Sequence, residues 1–175
     1  MTDVTFRPLA DDEIEHLLLA PWSSGLKEKH GQRLARQHDG EVCYLVAWRG
    51  AEPIGHLLIK WSGPADERVA ALVKECAEIE DFVVSPELRS RGIGRAMLAA
   101  AMELAHGRGM RRVGLAVGFD NPRAQALYER IGFADAGCGE VVVRWLGPGP
   151  GGETRWYEQR CAYLVKELAQ GQAAL

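Results

Sequence analysis

Between Glu78 and Gly107 the chain runs strand, turn, helix, and this order leaves few architectures open. Glu78 to Val84 contains the strand formers Ile79, Phe82, Val83 and Val84, and Pro86 closes the run. From Ile93 to about Gly107 the residues Ala96, Met97, Leu98, Ala100, Ala101, Met102, Leu104 and Ala105 predict an apolar-rich helix. The turn between them reads Arg89-Ser90-Arg91-Gly92-Ile93-Gly94-Arg95. The first amides of a helix lack internal partners and the dipole there is positive, so such a turn suits a phosphate or pyrophosphate. Gly92 and Gly94 let ligand oxygens approach the backbone. Arg89, Arg91 and Arg95 add charge-assisted bonds.

The spacing is neither Gly-x-x-x-x-Gly-Lys-Ser/Thr nor Gly-x-Gly-x-x-Gly, which excludes a P-loop and a dinucleotide fingerprint. What remains is Arg-x-x-Gly-x-Gly at Arg89, Gly92 and Gly94. Arg111 to Val117 then reads as a short strand. Asn121 opens a second helix with Pro122 in its first turn, Ala124, Ala126, Leu127, Tyr128 and Ile131 along it, and Gly132 at its end.

The arginine-glycine turn resembles motif A of the GNAT superfamily, the general-control-related N-acetyltransferases. Asn121-x-x-Ala124-x-x-x-Tyr128-x-x-x-Gly132-Phe133 is similar to motif B of that family. The resemblance covers Glu78 to Phe133, about a third of the chain. It implies that Arg89, Ser90, Arg91, Gly92, Ile93, Gly94 and Arg95 hold the pyrophosphate of acetyl-coenzyme A, with Asn121 and Tyr128 nearby. It also implies that the central strands splay at a bulge, and that Phe82, Val83 and Val84 offer an edge to the pantetheine arm.

Composition sets the remaining bounds. A length of 175 residues suits one domain, here 1–175 with a frayed tail from 169. A formal net charge of −3 argues against bulk nucleic-acid binding. Cys43, Cys76, Cys138 and Cys161 form no CxxC pair and no metal-ligand spacing, so reduced core thiols and no metal are expected. The N-terminus lacks a signal-peptide layout and no apolar run is long enough to span a bilayer. The expectation is therefore a cytoplasmic protein. A homodimer is an expectation of the resemblance alone.

In chain order, Val4–Pro8 reads as a strand, and Asp11-Asp12 as the cap of a helix through Leu19, with Leu17 to Leu19 inward. Trp22 to Gly25 is a loop and Leu26 to Gln37 a charged helix. Glu41–Trp48 and Pro53–Trp61 read as a hairpin. Ser62 to Glu75 is either one or two helical turns or a wide loop. Val141–Leu146 and Arg155–Leu168 read as the last strands, joined by a Gly-Pro-rich connection. The class is α+β: a mixed, mostly antiparallel sheet with helices on both faces, which is also the order of a GNAT fold.

The chemistry implied is acetyl transfer from a thioester to an amine. An alkylamine has a pKa of about 10.4 and must lose its proton before attack, so a general base is required. Strand alternation puts Glu78, Glu80 and Phe82 on one face and Ile79, Asp81 and Val83 on the other. By resemblance the base is Glu80, with Glu78 second. Tyr128 is the candidate acid for the leaving thiolate. The acceptor pocket is expected from Trp22, Ser23, Ser24, Trp61, Glu78, Trp156 and Tyr157, where aromatics beside carboxylates suit a cationic amine. Small amines, amino sugars, drugs, amino acids and peptide N-termini all fit. Two other readings stay open: a coenzyme-binding sensor without turnover, and O-acyl or longer-chain transfer on the same scaffold.

Overall fold

A computed structural model describes residues 3–23 and 27–169. The expectations for Ser24, Gly25 and Leu26 and for the tail from 170 onward lie outside the described residues. Seven strands form one sheet: β1 (Val4–Pro8), β2 (Val42–Arg49), β3 (Glu52–Lys60), β4 (Cys76–Val84), β5 (Arg112–Gly118), β6 (Ala134–Pro148) and β7 (Thr154–Glu167). The helices are α1 (Ile14–Leu19), α2 (Lys27–His38), α3 (Glu67–Leu72), α4 (Ile93–Gly107) and α5 (Pro122–Arg130). The strand order is β1-β2-β3-β4-β5-β7-β6, antiparallel throughout except for the β4–β5 pair. No helix among the described residues is long and apolar enough to cross a membrane.

The parallel pair holds the sheet together only at its start. Cys76 to Ile79 face Arg112 to Leu115, and the pairing stops there although both strands continue. Immediately beyond, Leu57 of β3 faces both Asp81 and Phe82 of β4, because the register passes from Leu58↔Glu80 to His56↔Val83. One extra residue on one strand is a β-bulge, which bends that strand and increases its twist. Asp81 has φ +49°, a left-handed conformation uncommon outside glycine. So β4 follows β3 while β5 follows β7, and a cleft opens between them.

The bulge also corrects the simple alternation. Glu78 and Glu80 do share a face, but Phe82 does not stay on it. Phe82 and Val84 pack with Ile79 into the core beneath α4 and α5, built around Met97, Leu98, Ala101 and Leu115. The opposite face carries a second core under α1 and α2, with Leu17, Leu34, Tyr44, Val46 and Trp48. A third, under α3, gathers Val69, Val73, Cys161 and Tyr163.

Several local expectations change. Leu17 is buried, but Leu19 is 77% exposed, because the short helix α1 turns only one leucine face to the sheet. The segment after Gly63 forms α3, capped by the Asp66 carboxylate accepting from the Arg68 and Val69 amides. Strand β6 begins at Ala134, well before Val141, and an irregularity between Asp135 and Glu140 accommodates its glycines. Asn121 caps α5 as expected, its side chain accepting from the Ala124 amide at 3.1 Å.

One buried group on the α2 face has a measurable consequence. His56 is 4% exposed, its Nδ1 has no partner, and burial pulls its pKa down from 6.5 to about 3. Between these two values the unfolded chain binds a proton that the native chain refuses, so stability falls as pH falls through that window. At about 1.4 kcal/mol per unit, the loss near pH 5 is roughly 2 kcal/mol. Urea unfolding at neutral pH and near pH 5 is expected to show it, and His56→Phe to remove most of the difference. An unchanged pH dependence in His56→Phe would assign the effect to other groups.

Candidate functional site

Two cavities open from the cleft, one on each side of the splayed strands. The first, of about 650 Å³, lies between the end of β4, the Arg89–Arg95 turn and α5. Gly92 starts α4 with φ +83°, a left-handed cap that an L side chain rarely adopts. Gly94 has a different reason: an added Cβ would stand 3.3 Å from the Phe82 ring, so its bareness lets the turn close on the strand. Arg89 donates from Nε to the Val84 carbonyl at 3.1 Å and ties the turn to the strand end. Arg123 donates to the Ser90 hydroxyl and ties the turn to α5.

Phe82, Val83, Val84, Arg89, Ser90, Gly92, Gly94, Arg95, Asn121 and Tyr128 all line this cavity. Arg91 and Ile93 do not: Arg91 points to solvent, and Ile93 packs on the core beneath α4. Two residues that sequence reasoning passed over, Arg123 and Arg130, complete the lining. The two stand seven residues, about two helical turns, apart on α5, which was the available signal. The cavity thus carries four guanidiniums and, among its described lining residues, no carboxylate. In a chain of net charge −3 that concentration favours an anion with several phosphates.

The second cavity, of about 490 Å³, lies on the other side of the splay, under β6 and β7. Its wall has the opposite charge. Asp66, Glu78, Glu80 and Asp81 line it against Lys29 and Arg144. Glu78 and Glu80 project from β4 on either side of the Lys60 ammonium of β3, which donates to Glu78 and, at 2.8 Å, to Glu80. The Glu78 side chain is 11% exposed and the Glu80 side chain 32%. Burial pushes the Glu78 carboxyl up, Lys60 pulls it back and Glu80 pushes it up further, so the net direction is up. Burial draws Lys60 down, but the two carboxylates outweigh it and its pKa rises. The unit therefore brings two carboxyl groups and one ammonium together. Lys60 was missed in the sequence, although a lone charge after Ile54 to Ile59 was the sign of a buried pair.

Of the described residues expected around the acceptor, only Glu78 lines this cavity. Trp22 donates its indole N–H to the Pro53 carbonyl at 3.0 Å. Ser23 is buried against His30. Trp61 lies on the opposite sheet face under the Arg108 guanidinium, 4.5 Å from its ring centre. Trp156 is 69% exposed on the hairpin. Tyr157 stacks on Trp145 with ring centres 5.7 Å apart, and it is Trp145 that faces the cavity. Tyr163 also lines it, with a buried hydroxyl that has no hydrogen-bond partner. Gly114 makes room for that ring, since a Cβ there would sit 2.5 Å from the hydroxyl.

The cavities share Phe82, Asn121, Ala124 and Tyr128, all at the mouth of the splay. Tyr128 is 8% exposed and packs on Phe133 at 5.9 Å between ring centres. Burial pushes its hydroxyl up to about 12, so it is protonated at neutral pH. Among the described residues no group of three or more His, Cys, Asp or Glu side chains is placed to hold a metal ion.

A cationic cleft at the start of a helix is joined through a tyrosine to an acidic cleft, an arrangement whose two halves suit ligands of opposite charge. The profile of the acetyltransferase (GNAT) family matches residues 11–133, and the chain belongs to that family. It is 36% identical over 115 residues to an uncharacterized N-acetyltransferase of Methanocaldococcus jannaschii, covering 65% of this chain and 46% of the relative. It is 40% identical over 94 residues to a mycothiol acetyltransferase of Clavibacter michiganensis, covering 50% of this chain and 31% of the relative. The chain thus matches half or less of the length of these relatives. A phosphinothricin acetyltransferase from Sinorhizobium meliloti, solved with AcCoA, superposes with a TM-score of 0.64 at 22% identity, over 100% of this chain and 93% of that one. At that identity the likeness concerns the fold, and it agrees with the expected GNAT architecture.

The Lys60 unit can be tested without any ligand. Lys60→Met leaves the buried Glu78 carboxylate facing Glu80 without its cation, and losing one partner of a buried pair costs roughly 3–5 kcal/mol. Without the ammonium the folded Glu78 pKa rises further above its ordinary 4.5. The native state then holds protons the unfolded chain has released, so the deficit shrinks as pH falls towards that value. Urea unfolding of Lys60→Met at neutral and mildly acidic pH is expected to show a large deficit that narrows in acid. A deficit independent of pH would point to lost packing instead.

Proposed function

We propose that the protein transfers the acetyl group of acetyl-coenzyme A directly to a primary amine of a small molecule or peptide, within a ternary complex. The observation that carries this reading is the meeting of two oppositely charged cavities at Tyr128. The arginine-lined cavity suits the phosphates of the coenzyme, with Arg89, Ser90, Arg95, Arg123 and Arg130 around them and the free amides of α4 below. The edge of β4 beyond Ile79, not paired to β5, offers backbone groups from Phe82 to Val84 to the pantetheine amides. That course brings the thioester to the mouth of the splay. The acidic cavity draws the acceptor as its ammonium.

In this reading Glu80 takes the ammonium proton, directly or through a water, and Glu78 and Lys60 hold it in place. Glu80 is the more open of the two carboxylates. The freed lone pair attacks the thioester carbonyl and a C–N bond forms. A backbone amide near Val83 or Val84 stabilises the oxyanion. The intermediate sheds its second nitrogen proton and collapses, the C–S bond breaks, the sulfur takes its proton from the Tyr128 hydroxyl, and the proton shed by nitrogen, relayed through a water, restores the phenol. Burial that raises the phenol also disfavours a free thiolate in the same place, so the proton finds an acceptor there. The family match, and relatives whose names are acetyltransferases, support the reaction class.

The test is thiol release from acetyl-coenzyme A with a panel of amines, together with calorimetric binding of the coenzyme. Turnover with an amine and none without one is the expected result. Tyr128→Phe is expected to lower kcat roughly 10²–10⁴-fold while leaving the coenzyme Kd nearly unchanged. Coenzyme binding without turnover on any amine would support a sensor role. Absence of binding would remove the coenzyme site. Separately, Gly92→Val is expected to weaken coenzyme binding, since it strains the left-handed cap that shapes the turn. Retained affinity in that variant would move the phosphates elsewhere.

A further inference from the structure

A buried polar cluster that the chemistry above does not use lies between α2 and the sheet. His30 is 1% exposed, Arg33 9% and His56 4%. Arg33 Nη1 lies 3.4 Å from His30 Nδ1, and an arginine can only donate, so that nitrogen is the acceptor. It follows that the Tyr44 hydroxyl donates to the same atom at 2.6 Å, and that His30 donates from Nε2 to Ser23. The Arg33 guanidinium also lies 5.8 Å from the Tyr44 ring centre. Its outer nitrogen, Nη2, donates to the Asp81 carboxylate at 2.6 Å. A long, flexible side chain is thus fixed on several sides and ends on a single residue, the one at the bulge.

We propose that Arg33 is a positioning residue for the coenzyme site: clamped on Asp81, it holds the bulge that opens β4 away from β5. The inference rests on the reading of the first cavity as the coenzyme site. Asp81 is held in a left-handed conformation that is uncommon for any residue but glycine, so contacts outside β4 have to fix it there. Arg33 is the ionic partner recorded for it. The next residue, Phe82, lines both cavities and touches the phosphate turn at Gly94. A relaxed bulge would return Asp81 to extended backbone, rotate Phe82 out of its place, and let Glu80 to Val84 approach β5. The cleft would narrow where the pantetheine arm has to enter. Through His30 and Ser23 the same clamp is tied to the segment that joins α1 to α2, so the α2 face and the coenzyme face share one fixed point.

The test compares Arg33→Gln, Arg33→Lys and Asp81→Gly by calorimetric binding of acetyl-coenzyme A, unfolding midpoint, and amide hydrogen exchange along β4. Glycine accepts the left-handed conformation but has no carboxylate, so Asp81→Gly separates backbone preference from the clamp. Arg33→Gln and Asp81→Gly are expected to weaken binding roughly tenfold or more, as misplacement of a binding edge does, and to speed exchange at Phe82 to Val84. Arg33→Lys keeps the charge and is expected to recover part of both. Leu34→Ala on the same helix removes buried apolar contact and is expected to lower the midpoint without changing affinity. Wild-type affinity and exchange in Arg33→Gln would overturn the proposal, whatever the stability. If Arg33→Gln does not fold, Asp81→Gly decides in its place by the same two readouts. If the wild-type protein does not bind acetyl-coenzyme A, the functional reading fails first. Exchange along β4 then judges the clamp alone, and an unchanged pattern overturns it.

Discussion

Beyond Ile79 the backbone of β4 is paired on one side only, and most of the site follows from that. A strand in the middle of a sheet ordinarily has both edges satisfied, because unpaired peptide groups away from water are costly. Here the sequence inserts one residue at Asp81, and the neighbouring strand departs towards β7. The chain keeps a partly covered, half-paired edge at the centre of the sheet, next to the start of a helix. Such an edge has what an extended amide-bearing ligand needs, and it is rigid because β3 holds its other side.

The charge pattern reinforces the same geometry. Arginines of the turn and of α5 converge on one side of the opening, while carboxylates from β4 converge on the other. The sheet separates them, so each field stays local and neither cancels the other. Lys60 also lies on the acidic side, and its place is informative. It sits between the two glutamates and limits the charge there, so the buried Glu78 does not face Glu80 without a cation.

How much of this could be read from the residues depended on distance along the chain. The turn after β4, the helix α4 from Ile93 to Gly107 and the Asn121 cap are local devices, and their glycines, proline and apolar spacing state them directly. The bulge was not legible residue by residue, because Asp81 looks like any polar strand position until Arg33, 48 residues earlier, is brought against it. The same held for the acceptor side. Trp61 and Trp156 were reasonable aromatic candidates by composition. Yet strand alternation turned Trp61 to the other face, and the reach of the β6–β7 hairpin carried Trp156 into solvent. Trp145 and Tyr163 took the places expected of them, through pairings fixed only when β7 inserts between β5 and β6.

Gly114 and Tyr163 occupy a single volume between two adjacent strands. A Cβ at position 114 would meet the tyrosine ring as well as its hydroxyl, with ring carbons at 2.6 and 2.8 Å. Removing the oxygen alone therefore does not free the space. In evolutionary terms the two positions are coupled: with the Tyr163 ring where it stands, a side chain at 114 requires position 163 to shrink or its ring to move. Since Tyr163 forms part of the acidic cavity wall, a side chain gained at 114 reshapes that cavity from the next strand.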